Sequence, residues 1–387
     1  MFKHLLLGFM AAVSSFIVLY PKNIIQSIYP FKIHGNKTTV LNQTNLKPTS
    51  SALSPSQAPS PQFSSSGGIA LGVYEPAADP LSHGASIDKY AEEVGKKPAF
   101  AWFSVKWQNA KSGAYQQFDP RLLDQFRTRG IMPGLNWDAS KGSSLTKGQT
   151  AFSWTTINSG KHDAYITQTA QAVAAYHYPF FLRLFPEMDG PWYPWGYNAE
   201  GQGNTNPADF VKAWKHIVNI FRQQGATNVQ FVWCLAAGIL NTNNVNQYSN
   251  TLKNLYPGND YVDWVALDGY GNLAAGPTRT LQDIFKPSYQ FLETNTYRPI
   301  IFYEVGASEN SNDPMAKANW ITQGFLTTIP TVFPNVKIVN WFNGPSDPSP
   351  NKPNKQTINW AVDSSQNSLS AWKQVVANPL YQGSLFK

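Results

Sequence analysis

Eight short apolar runs, each followed by a segment with helical spacing, constrain the fold of this chain more than any other feature. The runs are Ile69–Tyr74, Pro98–Val105, Ile131–Trp137, Phe180–Leu184, Asn228–Leu235, Trp264–Asp268, Pro299–Glu304 and Val336–Phe342. Strands that are apolar along their whole length and alternate with helices are typical of a parallel sheet covered on both faces. Eight such units predict an α/β fold, a closed (β/α)8 TIM barrel.

The helical segments between these runs have recognisable starts and stops. They are Ser86–Val94, Pro120–Arg129, His162–Tyr176, Pro207–Gln224, Gln247–Tyr256, Leu281–Thr294, Pro314–Thr328 and Ser368–Val376. Pro287 predicts a kink or break in one of them. An open doubly wound sheet is the alternative fold. It is disfavoured because the Gly201–Gly203 pair follows the fourth run and lacks the third glycine of a dinucleotide fingerprint.

The N-terminal part differs in composition from the rest of the chain. Leu5–Tyr20 is uncharged and mostly apolar, which predicts a signal peptide or signal anchor over residues 1–30. The Ser/Pro/Asn-rich residues 31–67 predict an extended linker, and residues 68–387 predict one catalytic domain. We therefore expect a secreted protein, or one tethered to a membrane and facing outward if the N-terminal segment is not cleaved.

Charge is concentrated outside the predicted domain. The chain has a net charge of +7, but residues 1–67 hold five lysines and no acidic residue, which leaves 25 basic and 23 acidic residues in the remainder. A nearly neutral domain argues against nucleic acid as a partner. The six histidines show no metal-binding spacing, and the single cysteine, Cys234, allows no intramolecular disulfide. We expect a monomer without a metal or cofactor.

Carboxylates and aromatic rings collect where the predicted strands end. The fourth strand runs into Glu187 and a Gly/Pro-broken loop with Trp192 and Trp195, and the seventh strand ends at Glu304. In a TIM barrel, the carboxyl ends of the strands form the active site. Indole rings stack on the apolar faces of sugar rings, so this edge predicts a carbohydrate site. Further candidates at the same edge are Glu75, Asn136, Trp137, Asp138, Asp268, Tyr270, Trp341 and Asn343.

Two carboxyl groups that flank a glycosidic bond can cleave it. Glu187 is the candidate acid, because a carboxyl group among aromatic rings should stay protonated. Glu304 is the candidate nucleophile, and Arg183 and Tyr270 are the candidates that keep it ionised and oriented. A retaining mechanism predicts a separation of about 5–5.5 Å between the two carboxyl groups.

Four segments in this order resemble glycoside hydrolase family 26. FLRLFPEMDGPWYPWG resembles the fourth-strand motif R-x-x-H-E-M-N-G-x-W, and YPGNDYVDWVALDGYG, IIFYEVGA and VKIVNWFN resemble the regions of strands six, seven and eight. The resemblance implies a (β/α)8 barrel that hydrolyses β-linked polysaccharides with retention. Substrates in the family include β-1,4-mannan, mixed-linkage β-glucan and β-1,3-xylan.

The resemblance also implies roles for individual residues. Glu187 would be the acid/base and Glu304 the nucleophile, which Tyr270 would hold. Trp192 and Trp341 would be sugar-stacking platforms. Trp137, Trp195 and Arg183 complete the predicted substrate-binding set.

Two residues depart from the family motif. Pro186 stands where the motif has histidine, and Asp189 stands where it has asparagine. Neither change removes a catalytic carboxylate, but both bear on substrate and pH optimum. They motivate the alternative that the chain is a catalytically silent carbohydrate-binding barrel.

Overall fold

The computed structural model describes residues 68–142, 148–240, 245–273, 279–344 and 358–385. The predicted export segment, residues 1–30, and the predicted linker, residues 31–67, lie outside the described residues. Within the described ranges, no helix is both long enough and apolar enough to cross a membrane.

Eight parallel strands close into a barrel. They are β1 Ile69–Tyr74, β2 Phe100–Gln108, β3 Met132–Lys141, β4 Phe180–Leu184, β5 Val229–Ala236, β6 Trp264–Gly271, β7 Ile300–Ala307 and β8 Val336–Phe342. Each strand pairs with the next along the chain, and β1 pairs with both β2 and β8. A short β9, Tyr381–Gln382, adds to the start of β1. The predicted (β/α)8 TIM barrel is confirmed.

Helices follow the strands and cover the outside of the barrel. They are α1 His83–Val94, α2 Pro120–Arg127, α3 Trp154–Asn158, α4 Asp163–Tyr176, α5 Pro207–Gln223, α6 Val245–Leu255, α7 Leu281–Asn295, α8 Ala316–Thr322, α9 Ile329–Val332 and α10 Gln366–Ala377. A π-helical segment, Gln323–Thr328, joins α8 to α9. The side chains of Asp119 and Asn206 cap α2 and α5 by accepting from backbone N–H groups. The helix α7 runs through Pro287 without a break.

Aromatic rings and glycines fill the interior of the barrel. Phe100 meets Phe181 and Tyr303 edge to face, with ring centroids 5.4 and 5.3 Å apart. The space between these rings is available because Gly134 on β3 has no side chain. A Cβ at Gly134 would lie 2.8 Å from the Phe100 ring and 2.7 Å from Tyr303 Oη. The barrel interior at Gly134 therefore has no room for another methyl group.

A β-bulge in β7 turns two consecutive side chains inward. Phe302 pairs with Leu267, but the next residue of β6, Asp268, pairs with Glu304, so Tyr303 is the extra residue. A bulge of this kind redirects the side chain that follows it. As a result, Tyr303 packs in the barrel interior while Glu304 also faces the inside, where it contacts Arg183 from β4.

The crowding around Gly134 gives a test of the barrel core. We expect Gly134→Ala to lower the free energy of unfolding by about 1–3 kcal/mol, because the new methyl group forces two rings to move. Urea unfolding followed by tryptophan fluorescence measures this loss. Gly238→Ala is the matched control, since the nearest atom to its Cβ would be Arg279 Nη1 at 3.8 Å. Equal stability of the two variants would contradict the packing described here.

Candidate active site

Glu304 has a hydrogen-bond donor on each carboxylate oxygen. Its Oε1 accepts from Arg183 Nη1 at 2.6 Å, and its Oε2 accepts from the Tyr270 hydroxyl. The side chain is 1% exposed. Two donors, one of them charged, hold the carboxyl group and fix its orientation.

Arg183 is shared between two acids in the barrel interior. Besides Glu304, it binds Asp268, which accepts from Nη2. The second oxygen of Asp268 accepts from the Cys234 thiol at 3.3 Å. Burial opposes the charge of the guanidinium, but Asp268 and Glu304 together hold the pKa of Arg183 well above its usual value. The guanidinium carbon also lies 4.4 Å from the centroid of the Tyr303 ring.

The chain makes an unusual turn after β4 to present Glu187. Phe185 and Glu187 both have left-handed backbone conformations, with φ of 47° and 52°, on either side of Pro186. Such conformations cost non-glycine residues about 1–3 kcal/mol each and persist only where the surroundings enforce them. Here Trp195 Nε1 donates to the Pro186 carbonyl at 2.6 Å, and the Glu187 N–H donates to the Cys234 carbonyl at 3.1 Å.

Burial keeps Glu187 protonated near neutral pH. The side chain is 2% exposed. Its burial, reinforced by the negative charge of Glu304, raises the pKa of Glu187 to about 8. Arg183 and the indole N–H of Trp192, which donates to Oε2 at 2.7 Å, act in the opposite direction. The site therefore places a neutral carboxyl group near a carboxylate.

These groups line or adjoin a cavity at the carboxyl ends of the strands. Its volume, which includes space open to solvent, is about 210 Å³, and the residues around it are Asn136, Asp138, Arg183, Pro186, Tyr193, Trp195 and Glu304. The Tyr193 and Trp195 rings stack with centroids 4.8 Å apart. Across the described ranges, no group of three or more His, Cys, Asp or Glu side chains is arranged to hold a metal ion.

Comparison with known sequences identifies the family. Residues 156–304 match the model of glycosyl hydrolase family 26. Endoglucanase H of Acetivibrio thermocellus is 33% identical over 295 residues, which cover 71% of this chain and 30% of that protein. The chain belongs to glycosyl hydrolase family 26. The β-1,3-xylanase TXYA of a Vibrio species is 25% identical over 194 residues, covering 47% of this chain and 35% of that protein. The family 26 chain thus spans about a third of the length of these curated relatives.

Solved structures show the same fold. The β-mannanase from a symbiotic protist of the termite Reticulitermes speratus superposes with a TM-score of 0.53 at 18% identity, covering 82% of this family 26 chain and 89% of that chain. A Cellulomonas fimi endo-β-1,4-mannanase double mutant superposes with a TM-score of 0.57 at 15% identity, covering 82% and 72%. At this level of identity, the likeness establishes the (β/α)8 architecture.

The two departures from the family 26 motif occupy different places. Pro186 lines the cavity beside Glu304. Asp189 is buried behind the site, where its Oδ1 accepts from the Ala236 N–H at 3.0 Å and so ties the loop after β4 to the end of β5. Burial raises the pKa of Asp189 to about 7, and the negative charge of Asp189 also raises the pKa of Glu187.

The remaining predicted platforms divide into two groups. Trp192 lies half-buried against Glu187, and Trp195 is a buried wall of the cavity. The structure corrects the expectation that Trp137 and Trp341 bind substrate, because both face the helix layer. Trp137 packs on Trp107 and donates to the Tyr165 hydroxyl.

Trp341 is fully buried on the outside of the barrel. Its ring packs against Phe325 and Trp372, with centroids 5.9 and 5.0 Å away. Successive side chains of a strand point to opposite faces. Since Phe342 packs in the barrel interior, Trp341 between Asn340 and Phe342 points outward.

Sequence reasoning missed Trp360. It packs against Tyr270, with ring centroids 4.8 Å apart, so it lies beside the tyrosine that binds Glu304. Its carbonyl accepts from Trp341 Nε1 at 3.0 Å, so Trp341 contributes to the site by anchoring Trp360. Among the described residues, no partner accepts from Trp360 Nε1. The available sequence signal was a tryptophan between the last barrel strand and the last helix, outside any predicted element.

Proposed function

We propose that this family 26 domain is a retaining endo-β-glycanase in which Glu187 is the general acid/base and Glu304 the nucleophile. The observation that carries the proposal is the contrast between the two carboxyl groups. Glu187 is buried with a pKa raised to about 8, whereas Glu304 accepts from Arg183 and Tyr270. One neutral and one ionised carboxyl group are what double displacement requires.

In the first step, Glu304 attacks the anomeric carbon while Glu187 protonates the departing glycosidic oxygen. A covalent glycosyl ester forms, and the bond to the leaving sugar breaks. The ester carries no charge, so the repulsion that raised the pKa of Glu187 is removed. Glu187 then accepts a proton from water, which attacks the anomeric carbon and releases the sugar with retained configuration. We expect the two carboxyl groups to lie about 5–5.5 Å apart, as retention requires.

We propose a β-linked glucan as the substrate, with β-1,4-mannan as the alternative. The similarity to Endoglucanase H supports glucan, since that match covers 71% of this chain at 33% identity. The match to the mannan endo-1,4-β-mannosidase A and B of Caldalkalibacillus mannanilyticus covers 23% at 31% identity. The longer match, to Endoglucanase H, includes more of the loops that shape the sugar-binding sites.

We also propose that the protein works outside the cell as a monomer. The uncharged apolar segment Leu5–Tyr20 and the polar linker that follows support export, followed by release or by tethering at the N-terminus.

The role of Glu304 can be tested by chemical rescue. We expect Glu304→Ala to lose about 10⁴-fold or more in kcat on an aryl β-glycoside, because no group remains to attack the anomeric carbon. Added azide should restore turnover and give the glycosyl azide of inverted configuration. Glu92→Ala, at an exposed position, is the control. Full activity of Glu304→Ala would overturn the assignment.

The role of Glu187 predicts the basic limb of the pH profile. Since the general acid must be protonated, kcat/KM should fall as the pH rises through about 8. The Trp192 N–H stabilises the carboxylate form, so Trp192→Phe should move this limb to higher pH. Trp214→Phe is the matched control, because its N–H donates to the Tyr261 carbonyl in the helix layer and its loss should leave the limb in place. If kcat/KM of the two variants falls at the same pH, the assignment of Glu187 as the general acid is contradicted.

A panel of polysaccharides tests the substrate. Incubation with barley glucan, lichenan, cellulose, mannan, galactomannan and β-1,3-xylan, with product sizes measured by chromatography, should show the fastest release of oligosaccharides from a β-glucan. Faster cleavage of mannan would select the alternative. Binding without release of reducing ends from any of them would identify the domain as a catalytically silent carbohydrate-binding barrel, which the departures at Pro186 and Asp189 make a specific competitor.

A further inference from the structure

The cleavage mechanism does not use two polar side chains that line the cavity, Asn136 and Asp138, or the Lys106 side chain beside them. Lys106 on β2 pairs in register with Asp138 on β3, and Ser104 pairs with Asn136, so the side chains stand next to one another. Asn136 and Asp138 are 1% and 2% exposed, and both line the cavity together with Glu304. We call Lys106, Asn136 and Asp138 the β2–β3 wall.

Each of the three side chains uses one of its polar groups in a hydrogen bond within the protein. Lys106 Nζ donates to Asp138 Oδ2 at 2.5 Å, and Asn136 Nδ2 donates to Ser104 Oγ at 3.3 Å. The other oxygens, Asp138 Oδ1 and Asn136 Oδ1, are buried and accept from no group in the described part of the chain. More than nine-tenths of buried polar groups in proteins have a partner, so two open acceptors on one wall are a feature to be explained.

The chemistry of the open atoms selects the ligand. Both are acceptors, so the ligand must bring hydrogen-bond donors. Lys106 has three N–H donors, one of which is used on Asp138, so it can also donate to an oxygen of the same ligand. A hydroxyl group both donates and accepts, and neighbouring ring hydroxyls match this arrangement. Anionic sugars are disfavoured because Asp138 and Glu304 face the same space.

The opposite side of the cavity is mostly apolar. Pro186 has no polar side-chain atom, and its carbonyl already accepts from Trp195 Nε1. Tyr193 and Trp195 present stacked rings, which suit the C–H face of a sugar more than its hydroxyls. Apart from the Tyr193 hydroxyl and the Arg183–Glu304 pair, the polar side chains that line this cavity are Asn136 and Asp138, so the β2–β3 wall supplies most of its groups for hydroxyl recognition.

We propose that the β2–β3 wall is a subsite for the free ring hydroxyls of a neutral sugar, the ring whose anomeric carbon faces Glu304. The inference rests on the proposed function and adds which groups of the sugar the enzyme recognises. Asp138 and Asn136 accept from hydroxyls of that ring, and Lys106 donates to one of them. Rings that lack one of these hydroxyls, or carry a substituent on it, are rejected because the buried acceptors then stay unpaired.

The experiment combines wall variants with substrates that lack single hydroxyls. The substrates are aryl β-cellobiosides or mannobiosides, whichever the wild type cleaves faster, with the 2-, 3- or 6-hydroxyl of the aryl-linked ring replaced by hydrogen. The variants are Asn136→Ala, which keeps the ion pair, and Lys106→Met with Asp138→Leu, which removes both charges together. The control removes the Asp88–Arg129 ion pair, on the outside of the barrel, in the same way.

For the wild type and the control, kcat/KM on at least one deoxy substrate should be about 30-fold lower than on the parent substrate. This is the effect of one hydrogen bond to a buried or charged acceptor. For at least one wall variant, removal of the same hydroxyl should lower kcat/KM by less than about 3-fold. An equal penalty in the wild type and in both wall variants overturns the proposal, while the proposed function stands.

Calorimetric titration with cellotetraose and mannotetraose distinguishes a failure of the wall proposal from a failure of the proposed function. If the wild type cleaves no aryl glycoside, the proposed function fails. The wall is then supported if the wild type binds one of these tetrasaccharides and either wall variant binds it at least about 10-fold more weakly. Equal affinities, or no binding to the wild type, overturn the wall as well.

Discussion

The buried guanidinium of Arg183 is the interaction on which the site depends. A charge in the middle of a barrel filled with aromatic rings is strongly unfavourable unless it is paired and hydrogen-bonded. Asp268 and Glu304 supply the pairing from β6 and β7, and Arg183 comes from β4. One cation thus joins β4 to β6 and β7 across the barrel. Glu304, the nucleophile that we propose, is held in position because it pairs with this cation.

Two local irregularities bring the carboxyl groups to this centre. The bulge in β7 lets Tyr303 and Glu304 both face inward, and the left-handed turn around Pro186 lifts Glu187 above the end of β4. Regular strand geometry would place neither group correctly. The cost in backbone energy is offset by hydrogen bonds from Trp195 and to Cys234. The opposite protonation states that we propose for Glu187 and Glu304 follow from these positions, since one group meets the cation and the other meets mainly rings.

The architecture was predictable because buried parallel strands are apolar along their length. β1, β4 and β8 have the predicted bounds, whereas β3, β6 and β7 each continue about three or four residues further, since polar residues at the mouth still pair in the sheet. Arg183 with Glu304, Tyr270 with Glu304, and Trp192 with Glu187 were also predicted neighbours. The family motif orders these residues along the chain, and the barrel brings them together.

The side on which each tryptophan lies was harder to predict. From the sequence alone, any residue near a strand end could lie at the mouth of the barrel. Successive side chains of a strand point to opposite faces, so Trp137 and Trp341 are assigned to the helix layer once the inward-facing residues are known. Trp360 reaches the site from a segment without regular structure, and its contact with Tyr270 depends on anchors that no pattern reveals.

The sole cysteine of the 387 residues lies inside this charged centre. Cys234 is fully buried, and burial holds the pKa of its thiol well above the usual value, so the reactive thiolate is suppressed and shielded from reagents. An added surface cysteine would therefore be the one accessible thiol among the described residues. Tyr297, which is 85% exposed at the opposite end of the barrel from the site, is a suitable position for it. The native sequence can thus carry a single fluorophore or spin label without removal of the natural thiol.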